Sequence, residues 1–223
     1  MKRVGISNFL RFFLNNHAIS DTYFRKSQLL FISVDAHDLI ECATAPFWTL
    51  VLKRMTDTIQ QSVLSEEIKA KSRDFFLESI QLKDAFYTFD CVQKLFLQIS
   101  QENYYPVLVL ARFDRLLPAF SHEFFANLQG LKDAAGKLSY IFTSYRPLEQ
   151  LQPDIFTPSG MSVFAHTQYL KPASKKDSRV VLETLLSRYS LEIPEHHKQE
   201  LLSASAGHVQ YLHLGLLAYK ESQ

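Results

Sequence analysis

The chain has 223 residues, 47% of them hydrophobic and 21% charged, with a formal net charge of +1. That length suits one large α/β domain or a core with a small appendage, the composition is not that of a disordered chain, and so small a net charge supplies no global field for nucleic acid or anionic lipid. No apolar run reaches the roughly 18 residues of a membrane span. Met1-Lys2-Arg3 lacks the apolar stretch and cleavage site of an export signal, and the two cysteines, Cys42 and Cys91, have no metal-ligand spacing, so the chain reads as cytoplasmic with reduced thiols.

In chain order, Ile6, Phe9, Leu10, Phe13 and Leu14 recur at helical spacing and predict a helix over 6–14. Gln28 to Val34 is a short apolar run that predicts a strand buried on both faces, with Asp35 and Asp38 at its carboxyl end. Helices are expected over 47–63, with Pro46 just inside the start, and over 84–100. A second strand follows at 107–110, a helix at 123–131, a third strand at 139–143 and a fourth near 162–170 after the loop 153–160. Amphipathic helices at 174–189, 195–204 and 209–219 close the chain. Alternating strands and helices imply parallel βαβ units. The expected architecture is a three-layer α/β sandwich with a mostly parallel sheet over 1–172 and a small helical lid over 173–223. Paired aromatics such as Phe12, Phe13, Phe75, Phe76, Phe124 and Phe125 are expected in the core.

Three segments carry chemistry. A phosphate-binding loop, G-x-x-x-x-G-K-[ST], cradles phosphates with backbone N–H groups, bridges them with Lys and holds magnesium with a hydroxyl. Gly5-Ile6-Ser7 aligns with its final three residues, but Ile6 stands where Lys belongs, and the first glycine of the loop would fall one position before Met1. The plain alternative is a helix that starts near a glycine with Ser7 as its cap. An NTPase strand would next present a metal-organising Asp and a water-orienting Glu. The run Pro106 to Leu110 offers Ala111 and Arg112 instead, and Asp114 lies in the outgoing turn, where it can cap a helix or pair with Arg112 or Arg115. Thr143 and Ser144 end the third strand, where open α/β sheets place ligands; they can meet a phosphate or simply end the strand before Pro147. His196-His197 and His208/His213 lack metal-ligand spacing, and no G-x-S-x-G elbow occurs.

The order of G-x-S helix, apolar strand followed by F-D-R-L, strand ending in T-S-Y-R-P-L, then Tyr169-Leu170-Lys171-Pro172 and Ala206-Gly207-His208, resembles the AAA+/STAND-type P-loop ATPases. The resemblance implies nucleotide-binding positions at Gly5, Ile6, Ser7, Asn8, Thr143, Ser144, Gly207 and His208, and a degenerate acidic motif at Ala111, Arg112 and Asp114. The first strand and the first half of the phosphate loop would be missing. Ile6, Ala111, Arg112 and Val209 depart from the family pattern where charge is handled. The resemblance therefore implies ATP with Mg2+ as a weakly held ligand, no catalytic residues, and a regulatory or interaction role with a protein partner or a second copy. A missing central strand would leave a sheet gap for a partner to fill. The alternative is a fragment of an active ATPase, with DNA as a further candidate partner; for DNA the sequence offers only the modest basic cluster Lys171, Lys175, Lys176 and Arg179.

Overall fold

A computed structural model describes residues 6–15, 28–119, 121–151 and 168–221. The chain divides into two compact units, one spanning residues 14–166 and one formed by residues up to 13 together with those from 167 onward.

Helix α1 (Ile6–Asn15) opens the described chain at its expected place. Its aromatic side chains do not all enter a core. Leu10 is buried, whereas Phe9 and Phe12 are half exposed, and the rings of Phe9 and Phe13 stack with centroids 6.1 Å apart. Helical spacing alone therefore overstated the burial of Phe12.

The larger unit is built on one parallel sheet of β1 (Leu29–Asp35), β2 (Tyr105–Ala111) and β3 (Ser139–Phe142), in that spatial order. Leu29 to Asp35 pair in step with Tyr105 to Ala111, and Val107 to Leu110 with Ser139 to Phe142. Four consecutive residues of the central strand, Val107 to Leu110, are buried, as a parallel strand covered on both faces requires. β1 instead alternates. Leu30, Ile32 and Val34 enter the core while Ser33 is exposed.

Between β1 and β2 run α2 (Thr44–Gln61), α3 (Glu66–Leu82) and α4 (Ala85–Gln101); α5 (His122–Ala135) joins β2 to β3, and the short α6 (Leu148–Leu151) follows. Pro46 is the third residue of α2, where its missing N–H leaves no intrahelical bond unmade. The core of this unit is aromatic. Phe47 packs edge-on against Trp48 at 4.8 Å and Phe124 at 5.1 Å, and Trp48 packs edge-on against Phe89 at 4.9 Å.

Helix α3 is absent from the sequence reading. Its fully buried positions are Ile68, Ser72 and Ser79, with Phe75 and Phe76 partly buried and packed against the core, so serines interrupt its apolar face. Polar contacts join it to α2. The Thr56 hydroxyl lies 2.9 Å from the Leu52 carbonyl and 3.1 Å from that of Ser72, and Gln60 Nε2 donates to the Lys69 carbonyl at 2.7 Å. Asp84 starts α4 by accepting from Tyr87 N at 2.8 Å. Phe86, although in helical phase, lies in the first turn of α4 and is 82% exposed.

In the other unit, α7 (Lys175–Tyr189), α8 (Glu195–Ser205) and α9 (Val209–Glu221) enclose Leu182, Leu185, Leu186, Ile193, Leu212 and Leu216. Ser174 caps α7 by accepting from Asp177 N at 3.1 Å. Most of the expected fourth strand lies outside the described residues, and 168–170 has no regular secondary structure.

Candidate functional site at the carboxyl edge of the sheet

Parallel strands in register bring their carboxyl ends to one rim, where open α/β sheets hold ligands. At this rim Asp35 on β1 stands opposite Ala111 on β2. Past the last strand pair, Thr143 N donates to the Leu110 carbonyl at 3.0 Å, extending the β2–β3 ladder by one residue. The Thr143 carbonyl then accepts from Phe113 N at 2.7 Å, and its hydroxyl accepts from Arg112 N at 3.0 Å. Thr143 thus clamps the turn that leaves β2.

Arg112 itself has φ of 54°. This left-handed conformation costs an ordinary residue roughly 1–2 kcal/mol, so it persists only where its surroundings determine it. They do so here. Arg112 Nε donates to Asp35 Oδ1 at 2.7 Å and its Nη2 donates to Asp35 Oδ2, a bidentate ion pair between residues 77 apart in sequence. Asp35 Oδ1 also accepts from His37 N at 2.9 Å. The side chains of Arg112 and Asp35 are 24% and 28% exposed, so the pair is sheltered but open to solvent on one side.

The acid expected on the central strand is therefore replaced in two senses. Ala111 offers a methyl group, and the carboxylate present at the same level, one strand over, is already held by a guanidinium. These residues do not fit a divalent cation, which would have to displace both bonds of the ion pair to gain one carboxylate. Asp114 lies in the 3-10 segment Phe113–Ala119, and its Oδ1 is buried without a hydrogen-bond partner. Phe113 anchors that segment by packing its ring 4.7 Å from Phe142. Ser144 Oγ donates to the Arg146 carbonyl, a local turn contact.

The remaining sequence candidates belong to the other unit or lie outside the described residues. Gly5 lies outside the described residues, and Ile6, Ser7 and Asn8 form the first turn of α1. Gly207 and His208 join α8 to α9. Gly207 has φ of 82°, and a Cβ there would lie 2.4 Å from the Ala173 carbonyl oxygen. Its own carbonyl accepts from Ala173 N at 2.9 Å. His208 is buried and stacks on Tyr211 at 4.8 Å. Both residues have an evident part in the packing of the helical unit. His196 and His197, adjacent in sequence, have ring centroids 4.0 Å apart. Among the described residues no group of three or more His, Cys, Asp or Glu is placed to hold a metal ion.

Sequence reasoning placed Ala111, Arg112 and Thr143 at this rim, and the structure brings them together. It noted Asp35 only as a strand end. The readable signal was a carboxylate closing a buried strand; its partner was not readable at all.

No protein family and no curated protein matches the sequence. Two solved structures of the Aeropyrum pernix ORC2 protein share its fold. The one described as ADPNP-ADP complexes superposes with a TM-score of 0.61 at 14% identity, over 98% of this chain and 52% of that one. The ADP form gives 0.58 at 13% identity, over 95% and 52%. The chain thus spans about half the length of these neighbours. What is shared is the fold, an α/β, P-loop NTPase-like arrangement of a parallel sheet and helices.

Proposed function

We propose that the chain is a degenerate AAA+-type nucleotide-binding domain, of the STAND kind, that does not turn over ATP and acts as a regulatory or interaction module for a protein partner or a second copy. The observation that supports this reading is the Arg112–Asp35 ion pair at the sheet rim, beside Ala111. General-base and electrostatic contributions are typically worth about 10² to 10⁴ each in rate. A rim whose metal-organising acid is a methyl group, and whose aligned carboxylate on the neighbouring strand, Asp35, is ion-paired, lacks several of them together. Weak nucleotide binding at the carboxyl rim of the sheet, beside Thr143 and Ser144, belongs to the same reading. The test is phosphate release by the purified chain with ATP and Mg2+. No release above buffer is expected, and turnover of about 1 s⁻¹, the low end of ordinary enzyme rates, would overturn the proposal.

A second reading, a fragment of an active ATPase, draws on one observation: 98% of this chain matches only 52% of the ORC2 neighbour, a protein solved with ADPNP and ADP. The intact mass of the native protein decides it. A species much heavier than 25.8 kDa that hydrolyses ATP would favour the fragment. DNA association draws less support, because of the basic cluster at the start of the helical unit Arg179 already lies 3.5 Å from Glu195.

A further inference from the structure

We infer that the outer face of α3 is a contact surface for a second copy of this chain, the two α3 helices lying antiparallel around Leu77 and Ile80. The inference gives a surface to the interaction role in the reading above and rests on that reading only for the second copy as partner.

Helix α3 turns Ile68, Ser72 and Ser79 inward, yet it also carries large apolar side chains on the side that faces solvent. Leu77 and Ile80 are each about half exposed, and residues three apart on a helix are neighbours on one face. Leu82 and Phe86 add exposed apolar surface where α3 gives way to α4. Only Lys83 and Asp84 join the two helices, and Lys83 ends α3 in the left-handed conformation. Single exposed apolar residues are ordinary, but these four, all between residues 77 and 86, gather at one helical hairpin and mark a surface that gains by being covered.

The charges that flank Leu77 and Ile80 select the occupant. Arg73, Leu77, Ile80 and Asp84 follow one another at intervals of four, three and four residues, the spacing of a coiled-coil seam. In the reverse direction the same stripe runs acid, apolar, apolar, base. Two copies laid antiparallel about a two-fold axis therefore set Leu77 against Ile80 of the second copy and Arg73 against its Asp84, and the symmetry makes each contact twice. Parallel copies would oppose Arg73 to Arg73 and Asp84 to Asp84, so the charges also fix the direction. The ion pairs of α3 lie in its first half, Lys69 with Glu66 and Lys71 with Glu67. Arg73 and Asp84 are exposed and, among the described residues, make no ion pair. The bond from Tyr87 N to Asp84 Oδ1 holds that carboxylate at the hairpin tip. A net charge of +1 sets up no long-range repulsion between copies. A seam of two apolar layers falls at the small end of specific interfaces, below about 1,200 Å², so the pairing is weak and depends on concentration.

The experiment is sedimentation velocity of the full chain over about 5–500 µM, the range of weak, transient contacts. Wild type should pass from monomer to dimer across that range and go no further. Leu77→Glu would set a carboxylate against Ile80 and should stay monomeric throughout. Arg73→Glu meets Asp84 with like charge at two places and should weaken the dimer about 10-fold, while Asp84→Asn, which keeps the cap of α4, should weaken it about 3- to 5-fold. Thermal melts establish that each variant is folded. A wild-type chain that is monomeric at every concentration overturns the inference, needs no variant and leaves the absence of turnover standing. A folded Leu77→Glu chain that dimerises like wild type overturns it as well, because the contact then lies elsewhere. A dimer indifferent to Arg73→Glu, or growth beyond two copies, overturns the antiparallel seam. Mg2+-dependent phosphate release refutes the absence of turnover and leaves the dimer untouched.

Discussion

Arg112 and Asp35 can be separated energetically by a double-mutant cycle of Arg112→Gln, Asp35→Asn and the pair. Exposed ion pairs typically couple by about 0.2–1 kcal/mol, while breaking a fully buried one costs about 3–5 kcal/mol. With side chains 24% and 28% exposed and two parallel hydrogen bonds, this pair falls between those limits. Screening through the open side discounts it, and a coupling of about 1–2 kcal/mol is expected. A fourth variant isolates the backbone. Arg112→Gly loses the same ion pair but accepts the φ of 54° without penalty, so it should be about 1 kcal/mol more stable than Arg112→Gln. The probe is built in, because the one tryptophan, Trp48, is buried in the core of the same unit. Urea unfolding followed by its emission reads that unit, and unchanged m-values would show that only stability moved. A coupling indistinguishable from zero at low salt, or a glycine variant no better than glutamine, would refute the account of how the rim is held.

Gly207→Ala should destabilise the helical unit by about 2–4 kcal/mol, combining the positive φ with a Cβ 2.4 Å from a backbone oxygen that cannot swing away. Circular dichroism should then show an early loss of helix while Trp48 emission stays native. Burial and, to a lesser extent, the Asp133 charge push the Tyr140 phenol above its ordinary value, and its OH donates to the Leu128 carbonyl at 2.6 Å. The folded state therefore keeps a proton that the unfolded chain gives up above about pH 10, and stability falls as pH rises past that point. Tyr140→Phe should flatten this alkaline slope in denaturation measurements. Asp84→Ala removes the cap of α4 and should cost about 1 kcal/mol by urea unfolding. Burial raises the Cys91 thiol as well, so a neutral alkylating reagent should label the half-buried Cys42 first and reach Cys91 only after unfolding.

How much was legible in the sequence depended on whether a residue's role is local. β1, β2 and β3 announce themselves as apolar runs between turn residues, and α4 and α7 show both stripe and cap, so these were readable within a residue or two. Helix α3 was not, because Ser72 and Ser79 stand among Ile68, Phe75 and Phe76 on its buried face and hydrogen-bond within the helices, which interrupts the hydrophobic period. Its cap was visible in retrospect: Ser65 followed by Glu66 and Glu67 is a helix start. At the rim, Arg112 read as a loss of acid. That it also brings a cation to Asp35 depends on strand register, and no local rule links two residues across three intervening helices. Gly207 read as a ligand position, whereas its positive φ and its close approach to Ala173 give it a packing reason as well.

The order in which the sheet can assemble has a kinetic consequence. β1 ends at Asp35, but the strand it pairs with does not begin until Tyr105. Zipping these two requires closing a loop that holds three whole helices, and such distant pairing is slow because the entropy of closure must be met before any pairing bond forms. During synthesis Leu30, Ile32 and Val34 must wait for residues 105–111 to emerge, with only the growing helical trio to shelter them. Mutations that loosen α2 against α3 should therefore lower the yield of folded chain in cells more than their equilibrium cost suggests, because the waiting strand is the aggregation hazard.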